Sequence, residues 1–259
     1  MKEQLITHKN KLLSTKVLVG SGLLVGLSVI LTRFFGIMLP IAGVSGLRIS
    51  FGSIPIYTAG ILFGPLAGAL TGVAADLLGF MINPMGGAYF PGFTLSAALR
   101  GVIPGIVYMG IRSNEIRFNF NIINTATVIV LAVAVVKALF VKQLLVLKNG
   151  WIYYQDKKLS VIFIVLYIVI VFVYILIPIL MGKLKMKSQK IYSLDKIFFI
   201  VTLSTLIVSI VLNSLWLAIL FNKGYIIFLP TRIISSFITI PVDTFILYSF
   251  IRFSNGLKY

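Results

Sequence analysis

A helix that crosses a lipid bilayer needs roughly 17–25 mostly apolar residues in a row. This chain supplies runs of that order eight times, at about 17–40, 52–66, 66–82, 93–111, 124–147, 159–182, 197–221 and 229–250. With 59% hydrophobic residues, 11% charged residues and a mean hydropathy of +1.07 over 259 residues, no soluble domain accounts for the sequence. Inside hydrocarbon every backbone polar group must be satisfied within the segment, so such runs are helices. The expected fold class is therefore an all-α integral membrane protein of about eight spans.

Punctuation and charge refine this picture. The second and third runs are short and meet at Phe63-Gly64-Pro65, where Gly and Pro break a helix and predict a tight helical hairpin. The run 124–147 carries Lys137 and Lys142, which can reach the interface only in part. Lys2, Lys9, Lys11 and Lys16 precede the first run, but that run is too long for a signal-peptide core and no small-residue cleavage site follows it, so no cleavable signal is expected. Eight spans put both ends on one side. If that side is the cytoplasm, it holds 13 basic residues against 5 on the other, and the positive-inside rule favours both ends in. The net charge of +17 is thereby a topology signal rather than a sign of nucleic acid. The run 183–196, with five Lys, reads as a cytoplasmic linker touching anionic membrane lipids.

Several chemistries are excluded or disfavoured. Cys is absent, so there are no disulfides, thiolate metal sites or Cys nucleophile. No P-loop, zinc motif or nucleophile elbow occurs. The single His is His8 and acidic residues number six, which leaves little for acid–base or two-metal catalysis. No enzyme activity, metal or cofactor is expected, and uphill transport would draw energy from a partner or an ion gradient.

What remains is a set of polar residues at one depth. Asp76 lies inside an apolar helix, followed by a Gly/Pro/aromatic loop with Tyr89, Phe90 and Phe93; an intramembrane carboxylate defaults to function. In the eight-span topology Arg33, Arg48, Asp76, Arg100, Asn213, Trp216 and Arg232 all fall in the outer half of the membrane beside that loop. Four Arg against one Asp leave an excess of about three positive charges, suited to a planar anion, with guanidinium forks for carboxylates and aromatic faces for rings. Other readings stay open: Arg48 and Arg232 as interfacial anchors, Asp76 and Arg100 as a structural pair, the aromatics as a membrane belt. Asp243 falls in the inner half of the last run and is read as structural. Gly22 and Gly26 form a small-xxx-small motif, for packing within the chain or for docking a partner.

The segments Leu47-Arg48-Ile-Ser-Phe51-Gly-Ser-Ile-Pro55, Ala59-Gly-Ile-Leu-Phe-Gly64-Pro65, Ala75-Asp76-Leu-Leu-Gly79 and Ala88-Tyr89-Phe90-Pro91-Gly92-Phe93-Thr94-Leu95 resemble the substrate-binding S component of energy-coupling factor (ECF) vitamin transporters, and within that group the folate family. Leu212-Asn213-Ser-Leu-Trp216-Leu and Leu229-Pro230-Thr231-Arg232 are similar to its last two helices. The resemblance implies a six-helix protein that captures a vitamin outside, together with a transmembrane coupling subunit and two cytoplasmic ATPases. It implies that the first helix docks through small residues, here Gly22 and Gly26. For a folate or other pteridine ligand, Arg33, Arg48, Arg100 and Arg232 would face the glutamate carboxylates. Asp76 would take the pterin's donor edge; Tyr89, Phe90, Phe93 and Trp216 would stack, with Phe51 and Asn213 nearby. Another vitamin or precursor, or a stand-alone carrier, are the alternatives. The chain departs from the family by two extra runs. The expected organisation is a basic cytoplasmic tail (1–16), S-component helices one to four (17–112), an inserted helical pair with a basic linker (113–194) and the last two S-component helices (195–259).

Overall fold

The structure, a computed structural model, describes residues 14–41, 44–84, 88–113, 120–141, 143, 145–148, 151–154, 157–158, 160–183 and 193–256. Most of the basic tail, Gly86 and Gly87 of the aromatic loop, Arg117, Lys142 and most of the 183–196 linker lie outside the described residues. Among the described residues eight helices follow one another: α1 (Thr15–Arg33), α2 (Ser53–Phe63), α3 (Pro65–Ile82), α4 (Pro91–Ser113), α5 (Asn121–Val141), α6 (Val161–Lys183), α7 (Leu194–Phe221) and α8 (Tyr225–Gly256). Six of them, all but α2 and α6, are long and apolar enough over their described residues to cross a membrane; α6 has 23 residues, enough by length. An antiparallel hairpin of β1 (Ile37–Ile41) and β2 (Val44–Ile49) joins α1 to α2. A three-stranded sheet of β3 (Leu145–Lys148), β4 (Trp151–Tyr154) and β5 (Lys157–Lys158) joins α5 to α6. Short strands inside loops carry little hydropathy signal, and neither hairpin was expected.

The run 52–66 does not become a full span. α2 has 11 residues, about 16 Å of helix, half of what the hydrocarbon demands. Gly52 fixes its start. A Cβ there would overlap the Thr32 hydroxyl, and Ser28 Oγ donates to the Gly52 carbonyl at 2.7 Å. α2 thus begins beside the last turns of α1 and ends with Phe63 against Gly20, toward the other end of α1. The β1–β2 hairpin precedes this short helix in the chain. The break at Phe63-Gly64-Pro65 is as expected: Gly64 has φ of +96° and Pro65 opens α3.

Small residues let α2, α3 and α4 close up. A Cβ on Gly68 would sit 2.6 Å from the Gly101 carbonyl oxygen, and one on Gly101 would strike the Gly68 backbone, so the two helices touch through their main chains. The larger core joins α2, α4, α5, α7 and α8 through Tyr57, Tyr108, Val128, Leu131, Val201, Phe237, Ile240 and Leu247. α5 is anchored in it: the fully buried Asn124 donates to the Asp195 carbonyl at 2.7 Å, and Tyr167 of α6 donates to the Ala132 carbonyl of α5 at 2.8 Å. By contrast Gly22 and Gly26 are exposed, with nothing within 4 Å of a Cβ added to either. Among the described residues neither glycine packs closely against another helix.

Gly101→Leu is expected to destabilise the helix bundle by about 1–3 kcal/mol or more through overpacking, read as a lowered thermal midpoint in detergent. Gly26→Leu, facing open space, should leave that midpoint unchanged.

Candidate functional site

The space left by the short α2 is a cavity of about 640 Å³. Its wall comes from α1, the β1–β2 hairpin, α2, α3, Pro84, residues 88–90, α4, α7 and α8; none of the described residues of 113–194 lines it. Of the residues expected at a site, Arg33, Arg48, Asp76, Tyr89, Phe90, Phe93, Arg100, Asn213 and Arg232 all line it. As many as 199 positions, from Arg33 to Arg232, separate these in sequence, and the helix ends and turns bring them together. Phe51 does not line the cavity and is 40% exposed, since it precedes α2 and points away from it. Trp216 stands behind the wall. It donates through Nε1 to Ser96 Oγ at 3.0 Å and packs on Phe90 with ring centroids 5.9 Å apart. Gly92 has no side chain because Phe90 and Trp216 fill that space.

At the mouth, Arg33 is buried at 5% exposure. It donates to the Asn83 carbonyl at 2.9 Å and pairs with Asp76 at 3.8 Å. Gly79 makes room for its guanidinium. Asp76 Oδ2 accepts from Thr94 Oγ1 at 2.8 Å, and the Tyr89 hydroxyl lies 2.9 Å from Thr94 Oγ1. The expected alternative of an Asp76–Arg100 pair is thus corrected. The α1 terminus brings Arg33 against α3, whereas Arg100 turns toward α7. The aromatic side chains form two contacts here, Phe80 with Tyr89 at 5.3 Å and Phe90 with Phe93 at 5.8 Å.

One level deeper, Arg100 donates to Ser209 Oγ at 3.3 Å and Arg232 donates to the Ser209 carbonyl at 3.2 Å. Ser209 lies in a π-helical stretch of α7, Thr205–Leu212, whose wider turn is a recurrent feature of functional sites. Arg48 enters from the hairpin. Burial, together with the like charges of Arg33 and Arg100 and against the pull of Asp76, lowers its pKa to about 10. It stays charged at neutral pH. The Nε atoms of Arg48 and Arg100 and Oδ1 of Asn213 are buried and have no hydrogen-bond partner among the described residues.

The floor was missed. Asp243, read as structural, lines the cavity together with Ser53, Tyr57, Thr205 and Thr239. It is 7% exposed and accepts from Ser53 Oγ at 3.3 Å. The cavity descends about 16 Å along α8, eleven residues from Arg232 to Asp243 at 1.5 Å each. A signal existed: Thr205, Ser209 and Asn213 repeat every four residues, and Arg232, Thr239 and Asp243 share one face at intervals of seven and four. Asp243 also changes the charge sum. Four Arg against two Asp leave an excess of two positive charges, not three.

Arg33→Met should lower thermal stability, since it strands the Asp76 carboxylate at a cost of order 1–3 kcal/mol. The double change Arg33→Met/Asp76→Asn should recover most of the loss, as read by thermal unfolding of both variants.

Comparison with known proteins follows the same lines. The profile of the family described as ECF-type riboflavin transporter, S component, matches residues 12–185 of the 259. A stretch of 92 residues, 36% of this chain, is 44% identical to the folate transporter FolT of Clostridium novyi and covers 50% of that protein. Another match, 30% identical over 105 residues or 40% of this chain, is to an uncharacterized protein of Mycoplasma pneumoniae and covers 22% of it. The chain therefore spans half or less of the length of these curated relatives. Among solved structures it is similar to the crystal structure of FolT bound with folic acid, with a TM-score of 0.51 and 21% identity over 91% of this chain and 92% of that one; at that identity the likeness is one of fold. Eight helices, a cavity walled by both ends of the chain and a family profile over two thirds of the sequence agree with the resemblance seen in the sequence: this multi-pass membrane protein belongs to the family of ECF-type transporter S components.

Proposed function

We propose that the chain captures folate or a related pteridine on the outer face of the cell membrane of a bacterium and hands it to an ECF coupling subunit driven by two cytoplasmic ATPases. The observation that carries this is the cavity's charge balance. Four guanidiniums face two carboxylates, and one carboxylate is already committed to Arg33. Arg48 and Arg100 hold buried N–H groups with no partner among the described residues. An anion with a planar ring meets that demand: its carboxylates take guanidinium forks, and its rings lie against Tyr89, Phe90 and Phe93, with Trp216 bracing Phe90. The names of the relatives, a folate transporter and a protein bound with folic acid, support the same ligand class. A second reading is riboflavin, which the family's description names; its neutral ring and polyol leave the positive excess unmatched.

In this reading both chain ends are cytoplasmic and the core is α1–α4 with α7 and α8. The 113–194 segment is an insertion, a view supported by its absence from the cavity wall. The Clostridium novyi relative supports it too: 92 residues are 50% of that protein, about 184 in all and some 75 fewer than here. Gly22 and Gly26 offer an open, small-residue face on α1 to the coupling subunit.

Purified protein is expected to bind folate, and Arg48→Ala and Arg100→Ala should each weaken binding by roughly ten-fold or more, as a lost charged hydrogen bond does. Mass spectrometry of the copurified ligand tests the class directly: bound riboflavin, or no affinity for folate, would overturn the reading. For docking, Gly22→Leu/Gly26→Leu should retain folate binding while losing copurification with the coupling subunit; unchanged copurification counts against that face.

A further inference from the structure

We propose that Asp243, at the floor of the cavity, is the residue that selects the ligand's ring, by accepting hydrogen bonds from two adjacent N–H donors such as an amino-pyrimidinone edge. The inference rests on the folate reading and moves a role from Asp76 to Asp243.

A carboxylate held at 7% exposure within the apolar helix α8 is costly and needs compensation. Among the described residues its hydrogen-bond partner is a single hydroxyl, Ser53 Oγ at 3.3 Å. Arg100 and Tyr57 act on it electrostatically, but the Arg100 guanidinium spends its hydrogen bond on Ser209. A carboxylate offers about four lone-pair sites, so most of the accepting capacity of Asp243 is unspent and borders the cavity. Asp76 differs. Its two oxygens face Arg33 and the Thr94 hydroxyl, and its neighbours belong to the mouth.

The vertical order then gives an orientation. Donor-rich ring edges meet Asp243 below, with Thr205 and Thr239 beside them. Anionic groups stay above, at the level of Arg48, Arg100 and Arg232. Two like-charged carboxylates of the ligand would be repelled by Asp243, so the floor also prevents the reverse insertion. Asn213, with a buried Oδ1 that has no partner among the described residues, adds an acceptor about one turn of α7 beyond Ser209, on the side away from the floor.

The test compares three probes on the full-length protein by calorimetric titration: folate, the folate analogue lacking the ring amino group, and p-aminobenzoylglutamate, which lacks the pterin. Wild-type protein should bind folate at least ten-fold more tightly than the desamino analogue. Asp243→Asn should erase that discrimination and keep wild-type affinity for p-aminobenzoylglutamate, whereas Asp76→Asn should preserve the discrimination. Equal wild-type affinity for folate and its desamino analogue overturns the role of Asp243, and so does discrimination that survives in Asp243→Asn. The analogue comparison on wild-type protein decides the matter even where the variant fails to fold. A wild-type protein that binds neither folate nor p-aminobenzoylglutamate overturns the folate reading itself.

Discussion

Positive charge inside a membrane bundle is the constraint around which this molecule is arranged. Arg33, Arg48, Arg100 and Arg232 converge on one cavity, and each would be expensive in hydrocarbon. The chain meets that cost unevenly. Arg33 is given a carboxylate and a backbone carbonyl. Arg100 and Arg232 share Ser209, one through its hydroxyl and one through its carbonyl. Arg48 sits among like charges, and its lowered pKa records how poorly compensated it is. A bundle that satisfied all four internally would be more stable and would have nothing to offer an anion.

The cavity exists because α2 stops short. Eleven residues of helix fill only part of a span, and the β1–β2 hairpin brings Arg48 to the cavity. Close main-chain contact between Gly68 and Gly101 holds α3 and α4 as a rigid wall opposite. On the other side α7 and α8 complete the enclosure, with the π-helical turns of α7 presenting Thr205 and Ser209 inward. Among the described residues the segment 113–194 takes no part in the wall. Instead α5 joins the apolar core around Val128, Leu131 and Phe237, which ties it to the two last helices without narrowing the cavity.

Much of the candidate site was legible in the sequence because hydrocarbon makes polar residues conspicuous. Arg33, Asp76, Arg100 and Arg232 stand out in apolar runs for one physical reason, the price of burying charge. Phe51 was misread because aromatic residues are ordinary at a membrane interface and nothing in the sequence says which way one points. Asp243 was misread because depth was inferred by counting along an assumed straight span. The cavity runs down α8 further than that count allowed, and the short α2 leaves Ser53 and Tyr57 level with Asp243. The pairing of Asp76 with Arg33 rather than Arg100 depended on how the end of α1 meets α3.

By itself the sequence determined the membrane class, the break at Gly64-Pro65 and the family, because hydrophobic runs, helix breakers and a local aromatic motif are properties of short stretches of chain. The tertiary structure alone decided that α2 is half a span, that two hairpins fill the loops, which carboxylate neutralises which guanidinium, and that Asp243 faces the cavity while Gly22 and Gly26 face outward. These depend on helix lengths, rotations and close approaches between residues far apart in sequence, and no local pattern encodes them.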